Sequence, residues 1–298
     1  MYTVHVSPTP APGAVPIVDT MIGFPKDPKL RHAGLLAQTA GKDSKEGFAM
    51  PAEYMFKDVP EKRAIEGDPI AHTLAEMDRW GIRVGMISVA KGDEADVAIR
   101  RHPDRFVGSF SPDPNEGVEA IRKLRRAHAE FGIRAVTIFP AGFSPQVPID
   151  HRLMYPIYST AVELGLPVFV NAGMPGPRVK SDCQHVERIE GVLFDFPDLV
   201  FVTRHGCEPW VDHMVKLMVK WPNLHYSTSA FAPRFYPKAI IDYANTRGAD
   251  RILYAGYFPF GLSLERITTE MKNVPFKDEV WPKFLGGNAA RVLGLKLA

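Results

Sequence analysis

The sequence predicts a (β/α)₈ barrel from three observations. About eight short apolar runs recur along the chain. Amphipathic helical patterns lie between most of them. No Gly-x-Gly-x-x-Gly turn follows the first run, which reads VDTMIGFP. The runs are VPIVD (15–19), IRVGMIS (82–88), RFVGSF (105–110), IRAVTIF (133–139), LPVFVN (166–171), LVFVTRH (199–205), LHYSTS (224–229) and RILYAG (251–256). Each is rich in β-formers and short enough for a strand buried on both faces, as in a parallel sheet. Repeated strand–helix units of this kind close into a barrel. The rival, a doubly wound open sheet, would normally carry the glycine-rich turn.

Taken in order, residues 7–16 (SPTPAPGAVP) hold too much proline for a helix. Residues 1–14 are therefore expected to form an extended arm, either a surface strap or a reach toward a neighbouring subunit. After the first strand, residues 24–67 carry many charges, Gly41 and Gly67, and no clear strand. They read as a surface insertion or as a lid over the catalytic face, with Phe24, Phe48, Met50, Tyr54 and Phe56 as apolar contacts. In DPIAHTLAEMDRWG, Asp68 is a natural N-cap and Pro69 a first-turn proline. Ile70, Leu74 and Met77 share a face, and Gly81 ends the helix. GVEAIRKLRRAHAEFG repeats the scheme with Ile121, Leu124 and Phe131 inward and Gly132 as the stop. HRLMYPIYSTAVELG aligns Leu153, Ile157, Ala161 and Leu164, with Gly165 closing, and VDHMVKLMVK aligns Met214, Leu217 and Met218. These stripes are core faces. HPDRFVG (102–108) and FPDLVF (196–201) read as Pro-Asp turns at the bottom of the barrel. In GGNAARVLGL, Asn288 is expected to cap a final helix.

The composition is that of a globular protein, 45% hydrophobic and 23% charged, and residues 1–298 are expected to form a single domain. Lys+Arg 36 against Asp+Glu 34 gives a net charge of +2. That excludes bulk attraction to nucleic acid or to an anionic membrane, but leaves room for a small basic pocket. Two cysteines, Cys183 and Cys207, are no disulfide scaffold and fit a reducing cytosol. The opening MYTVHVSPTPAPG lacks the basic-then-apolar pattern of a signal peptide, and no apolar stretch approaches the ~20 residues of a membrane span. A cytoplasmic protein is expected.

Several segments together resemble the amidohydrolase-related family, in the branch of aminocarboxymuconate-semialdehyde decarboxylase-like proteins. They are VDTMIGFP, HPDRFVGSFSPDP, DHRLMYPIYSTAVELGLPVFVNAG, FPDLVFVTRHGCEPW, WPNLHYSTS, RILYAGYFPFG and FLGGNAARVLGL. The likeness runs from about residue 15 to the end, and each segment is a weak motif whose order and spacing carry the resemblance. It implies the same barrel, and a divalent metal at the C-terminal strand ends. The family's first strand ends in Asp-x-His-x-His, but here Met21 and Gly23 fill the histidine places after Asp19. Asn171 stands for the fifth-strand histidine, and Tyr257 for the eighth-strand aspartate; His205 of the sixth strand remains. Thioether, amide, phenol and one imidazole are poor donors for Zn²⁺, Mn²⁺ or Mg²⁺. No metal and no other cofactor is expected.

The remaining groups set the functional expectations. His205 is the candidate general acid/base. Asp19 either orients it, acts as a base itself, or is a structural carboxylate accepting backbone N–H bonds. Asn171 and Tyr257 can hold a substrate oxygen, although the Tyr257 ring also fills the metal's volume. Arg178, on the loop MPGPRVKSDCQH, suits a carboxylate, and Glu208 and Ser229 are further contact candidates. Cys207 reads as a buried thiol. The first function reading is a metal-independent hydrolase or C–C lyase for a small, often cyclic or aromatic, carbonyl or carboxylate substrate. The second is a non-catalytic binding protein on a barrel that has lost its metal site. The resemblance also implies a homo-oligomer.

Overall fold

Eight parallel strands follow one another round a single sheet in chain order, in a computed structural model that describes residues 15–25, 59–60 and 67–297. They are β1 (Ile17–Asp19), β2 (Ile82–Ser88), β3 (Phe106–Phe110), β4 (Ala135–Ile138), β5 (Val168–Asn171), β6 (Phe201–Arg204), β7 (Leu224–Ser227) and β8 (Ile252–Leu253). The ends of the series meet. Thr20 N–H donates to the Tyr254 carbonyl, Tyr257 N–H to Met21 and Gly23 N–H to Phe258. The expected barrel is what the chain forms. The arm at 1–14 and nearly all of the 24–67 insertion, including Phe48, Met50, Tyr54 and Phe56, lie outside the described residues.

The helices form where capping and periodicity place them. In α1 (Pro69–Arg79), Asp68 accepts the Ile70 N–H at 2.9 Å, satisfying one of the orphan donors of the first turn. Ile70 and Met77 are buried and Leu74 is partly so. α2 (Glu94–Arg101) is capped by Asp93. α3 (Val118–Phe131) stops at a left-handed Gly132, φ 59°, a conformation that costs glycine no Cβ clash. α4 (Tyr155–Glu163), α5 (Arg188–Asp195), α6 (Val211–Lys220), α7 (Lys238–Tyr243) and α8 (Leu264–Met271) complete the outer layer. No described helix is long and apolar enough to cross a membrane.

Two details differ from the sequence reading. Leu153 precedes α4 and is exposed, because the helix begins at Tyr155 and the leucine falls in the turn before it. Asn288 does not cap α9 (Asn288–Leu293). A π-turn over Lys283–Gly287 runs straight into that helix, so position 288 is interior. Its amide instead donates to the Ala249 and Ile252 carbonyls at 2.7 and 2.9 Å, tying the helix to the foot of β8.

Two cores result. The larger lies between sheet and helices and includes Leu124, Ile157, Phe201, Met214 and Phe284. The smaller fills the barrel, with Val18, Val84, Met86, Phe169, Val202 and Leu253 plugged from one end by Ala289 and Leu293. Membership of the inner core fixes which side chains face inward, because alternate residues of a strand share a face.

Candidate active site

Among the described residues, the non-glycine positions with left-handed backbone all follow the C-terminal ends of β6, β7 and β8. They are His205 (φ 66°), Cys207 (φ 60°), Ala230 (φ 69°) and Tyr257 (φ 60°). An L-residue pays about 1–2 kcal/mol for that conformation, and it persists only where the surroundings impose it. The surroundings here are close-packed. A Cβ on Gly173, after β5, would come within 2.7 Å of the Cys207 carbonyl carbon, and a Cβ on Gly206 would meet the Phe231 ring. Gln184, buried, donates to the Gly173 carbonyl and accepts the Ala141 N–H, fastening the loops after β4 and β5 together.

The strained turn presents His205 to the mouth. Ser229 Oγ accepts the His205 backbone N–H at 3.1 Å and lies 3.2 Å from Nδ1, which fixes the ring's rotation. Tyr257 meets the imidazole edge-on with ring centroids 5.3 Å apart, and the Phe260 ring backs Tyr257 at 5.6 Å. Burial, then the neighbouring Arg204 charge, lower the imidazole pKa to about 3, so the ring is neutral at physiological pH.

Beside this cluster the expected Asn171 is joined by Arg204 and Ser227, which the sequence reading did not single out. Phe169 and Val202 face the barrel interior, so Asn171 and Arg204, two residues on, do too. The register pairs Asn171 with Arg204 and Thr203 with Tyr226. One step further puts Arg204 beside Ser227. Leu224 and Tyr226 belong to the outer core, so Ser227 points inward. Each of the three carries a buried atom without a hydrogen-bond partner: Asn171 Oδ1, Arg204 Nε and Ser227 Oγ. Arg204 is only 9% exposed. Its Nη2 donates to the Met21 thioether, and no ion pair compensates it among the described residues. Burial lowers its pKa to about 10 while Tyr257 opposes the shift, so it stays charged at neutral pH. The signal was visible in LVFVTRH, where an arginine interrupts an apolar strand.

The other expected site residues scatter. Asp19 is wholly buried beneath the mouth. Its Oδ1 accepts the Met21 and Gly256 N–H groups, each at 2.9 Å, and it makes no hydrogen bond to His205. Burial raises its pKa to about 7 against the pull of those two bonds. Its geometry is that of the structural carboxylate. Phe24 is buried against Phe106 at 5.5 Å, within the core between sheet and helices rather than at the mouth, because Gly23 is drawn outward by a hydrogen bond from Thr73 to its carbonyl. Arg178 and Glu208 are exposed on the loops after β5 and β6, and neither joins the hydrogen bonds around His205. The Glu208 carbonyl accepts the Met174 N–H and so docks the two loops. Cys207 is fully buried and its thiol is pushed up to about 12 by that burial, a poor nucleophile.

The metal that the resemblance implies does not fit these residues. Among the described residues, no cluster of three or more His, Cys, Asp or Glu side chains could hold a metal ion. At the first-strand positions, Met21 lies against a guanidinium, and the Phe260 ring occupies the space where a side chain at Gly23 would begin. A divalent cation would meet a thioether, an amide, a phenol and a fixed positive charge.

Comparison with known proteins agrees with the fold. No curated protein matches the chain significantly. An uncharacterized TIM-barrel protein from Bordetella bronchiseptica superimposes with a TM-score of 0.71 at 23% identity, over 94% of this chain and 99% of that one. A 5-carboxyvanillate decarboxylase from Sphingomonas paucimobilis gives 0.66 at 15% identity, over 95% and 100%. A 2,6-dihydroxybenzoate decarboxylase from Rhizobium gives 0.66 at 16%, over 94% and 99%. The amidohydrolase family model matches residues 3–295, so nearly the whole chain belongs to the amidohydrolase family of enzymes.

Proposed function

We propose that the protein is a metal-independent hydrolase or C–C lyase acting on a small carbonyl or carboxylate substrate, cyclic or aromatic in type, with His205 moving the proton. The clustering of left-handed residues round the His205–Tyr257 contact carries this reading. Strain concentrated at one end of a barrel, where such folds build their sites, supports a catalytic constellation. The decarboxylase neighbours favour an aromatic acid as substrate.

The chemistry follows from the ring's partners. With Nδ1 engaged by Ser229, Nε2 is the atom left to exchange a proton with substrate. If Ser229 donates to Nδ1, Nε2 carries hydrogen and donates a hydrogen bond to charge developing on the substrate; it delivers that proton to a carbanion after decarboxylation only when a bound anion has let the ring take up a second proton. If Nδ1–H donates instead, Nε2 is the base that hydrolysis of an ester or lactone requires. Tyr257 would donate to a developing oxyanion. The test is turnover of aromatic carboxylic acids and of lactones by wild type and His205→Asn, with and without chelator. A loss of about 100-fold or more in kcat for the variant is expected, with chelator inert. A variant that turns over at the wild-type rate would sink the assignment.

A further inference from the structure

We propose that Arg204, with Asn171 and Ser227 on either side, is the binding site for one carboxylate of the substrate, and that its guanidinium supplies the positive charge a metal would otherwise bring to the mouth. This rests on the reading of the mouth as the active site and names what holds the substrate there.

Three observations carry it. Arg204 is only 9% exposed, shares the inward face of β6 with Val202, and has no carboxylate partner among the described residues. A buried charge without a counter-ion is costly, so folded proteins seldom keep one that nothing occupies. The atoms beside it on adjacent strands, Asn171 Oδ1 and Ser227 Oγ, are buried and unpartnered as well. Three neighbouring strands thus carry buried, unsatisfied polar atoms on their inward faces at one end of the barrel. Its known contact, the Met21 thioether, is a weak acceptor that neutralises nothing.

The chemistry of the set selects the ligand. A guanidinium matches the fork of a carboxylate and binds it more strongly than a neutral group. One buried cation is balanced by one negative charge. A phosphate dianion would leave an excess charge in the same low-dielectric space. Ser227 can donate to a carboxylate oxygen, and Asn171 can turn its amide to donate too. The anchored carboxylate is not the group that reacts. A cation bound to a carboxylate about to leave would hold the ground state more tightly than the transition state. The substrate therefore carries its reacting carbonyl or carboxyl group in addition to the anchor.

The test uses the full chain and small probes: formate, acetate and benzoate, each against its neutral amide, by calorimetric titration. Wild type is expected to prefer each acid by about tenfold or more, and Arg204→Met to lose that preference. Arg204→Lys, which keeps a charge without the fork, should retain part of it. Arg204→Met is expected to melt no lower than wild type, because it removes an uncompensated charge; a purely structural arginine would give the opposite shift. Equal binding of acids and amides by wild type, or an undiminished preference in Arg204→Met, overturns the inference. The wild-type comparison decides even if a variant fails to fold. His205→Asn separates the two proposals. It should still bind formate as wild type does, so a failed proton-transfer reading leaves acid binding intact, and a failed anchor leaves the His205 effect on turnover intact.

Discussion

Arg204 Nη2 donates to the thioether of Met21 across the mouth of the barrel, placing the chain's own cation against a position where the family it resembles has a metal-binding histidine. The arrangement is not one substitution away from a metal centre. Met21→His would set an imidazole beside a guanidinium, and a side chain at position 23 must displace the Phe260 ring. Purified protein is expected to hold no stoichiometric Zn or Mn, and to melt unchanged after chelator or added Mn²⁺. The double variant Met21→His/Gly23→His should gain no metal either. Elemental analysis checks the metal content of both proteins and thermal melts check the effect of chelator and Mn²⁺; tightly held metal in wild type would refute the reading.

The strained turns predict stability changes of opposite sign. Ala230 sits at φ 69°, where glycine has no Cβ penalty, so Ala230→Gly should stabilise by about 0.5–1 kcal/mol, less its cost in unfolded-state entropy. Gly173→Ala should do the reverse. Its φ is 93° and its Cβ would stand 2.7 Å from the Cys207 carbonyl carbon, so both conformation and space resist it. A loss of about 2 kcal/mol or more is expected. Because the displaced backbone is the turn that carries His205, activity should fall with it. Urea denaturation of the two variants measures the pair; a shift of the same sign in both would show that strain is not what these positions hold.

Much of this site could be read from the chain. His205, Asn171, Ser229 and Tyr257 are all at or just beyond the ends of apolar runs, and strand ends are where a barrel gathers its chemistry. Arg204 was one residue short of such an end. Only the in–out register, set by which neighbours fill the inner core, turns it inward, and that depends on pairings between strands rather than on any one strand. Phe24 was harder to place, since an aromatic beside a long insertion reads as a lid contact, and only the hydrogen bond from Thr73 to its neighbour shows how it comes to pack against Phe106. Asn288 misled because a π-turn leaves no break for a cap to mark.

Buried titratable groups set a stability optimum. His205 is held at about 3 by burial and Arg204, and His225, inside the barrel, at about 3 by burial and the charges of Arg291 and Arg251. The unfolded chain protonates both below about 6.5 while the folded chain resists. The unfolded state therefore binds more protons in that window, and stability falls as pH drops from about 6.5 toward 3. Asp19 works the other way. Its folded pKa is raised from 3.8 to about 7, so its contribution is full below the lower value and lost as pH rises through the upper. Two histidines against one aspartate place the maximum from these groups near pH 6.5. His225→Gln should flatten the acid limb without touching the mouth. Chemical denaturation at a series of pH values tests this, and an unchanged acid limb would exclude His225 from it.

Asp19 itself gives the sharpest separation of structural from catalytic roles. Its Oδ1 ties the end of β1 to the turn after β8 through the Met21 and Gly256 N–H groups, while Oδ2 is buried without a hydrogen-bond partner. Near neutrality the carboxyl holds a proton for part of the time, so an amide of the same shape is a close mimic. Asp19→Asn should keep both backbone bonds, fold as well as wild type and lose the Asp19 contribution to falling stability as pH rises from 3.8 to about 7. Asp19→Ala should lose both bonds and leave two buried N–H donors unmet, at about 1–3 kcal/mol for each. Turnover decides the role. A structural aspartate predicts that Asp19→Asn retains most of kcat, whereas a proton-transferring one predicts a loss comparable to that of His205→Asn. Measuring the two variants side by side, with folding stability as the control, gives an answer that neither measurement gives alone.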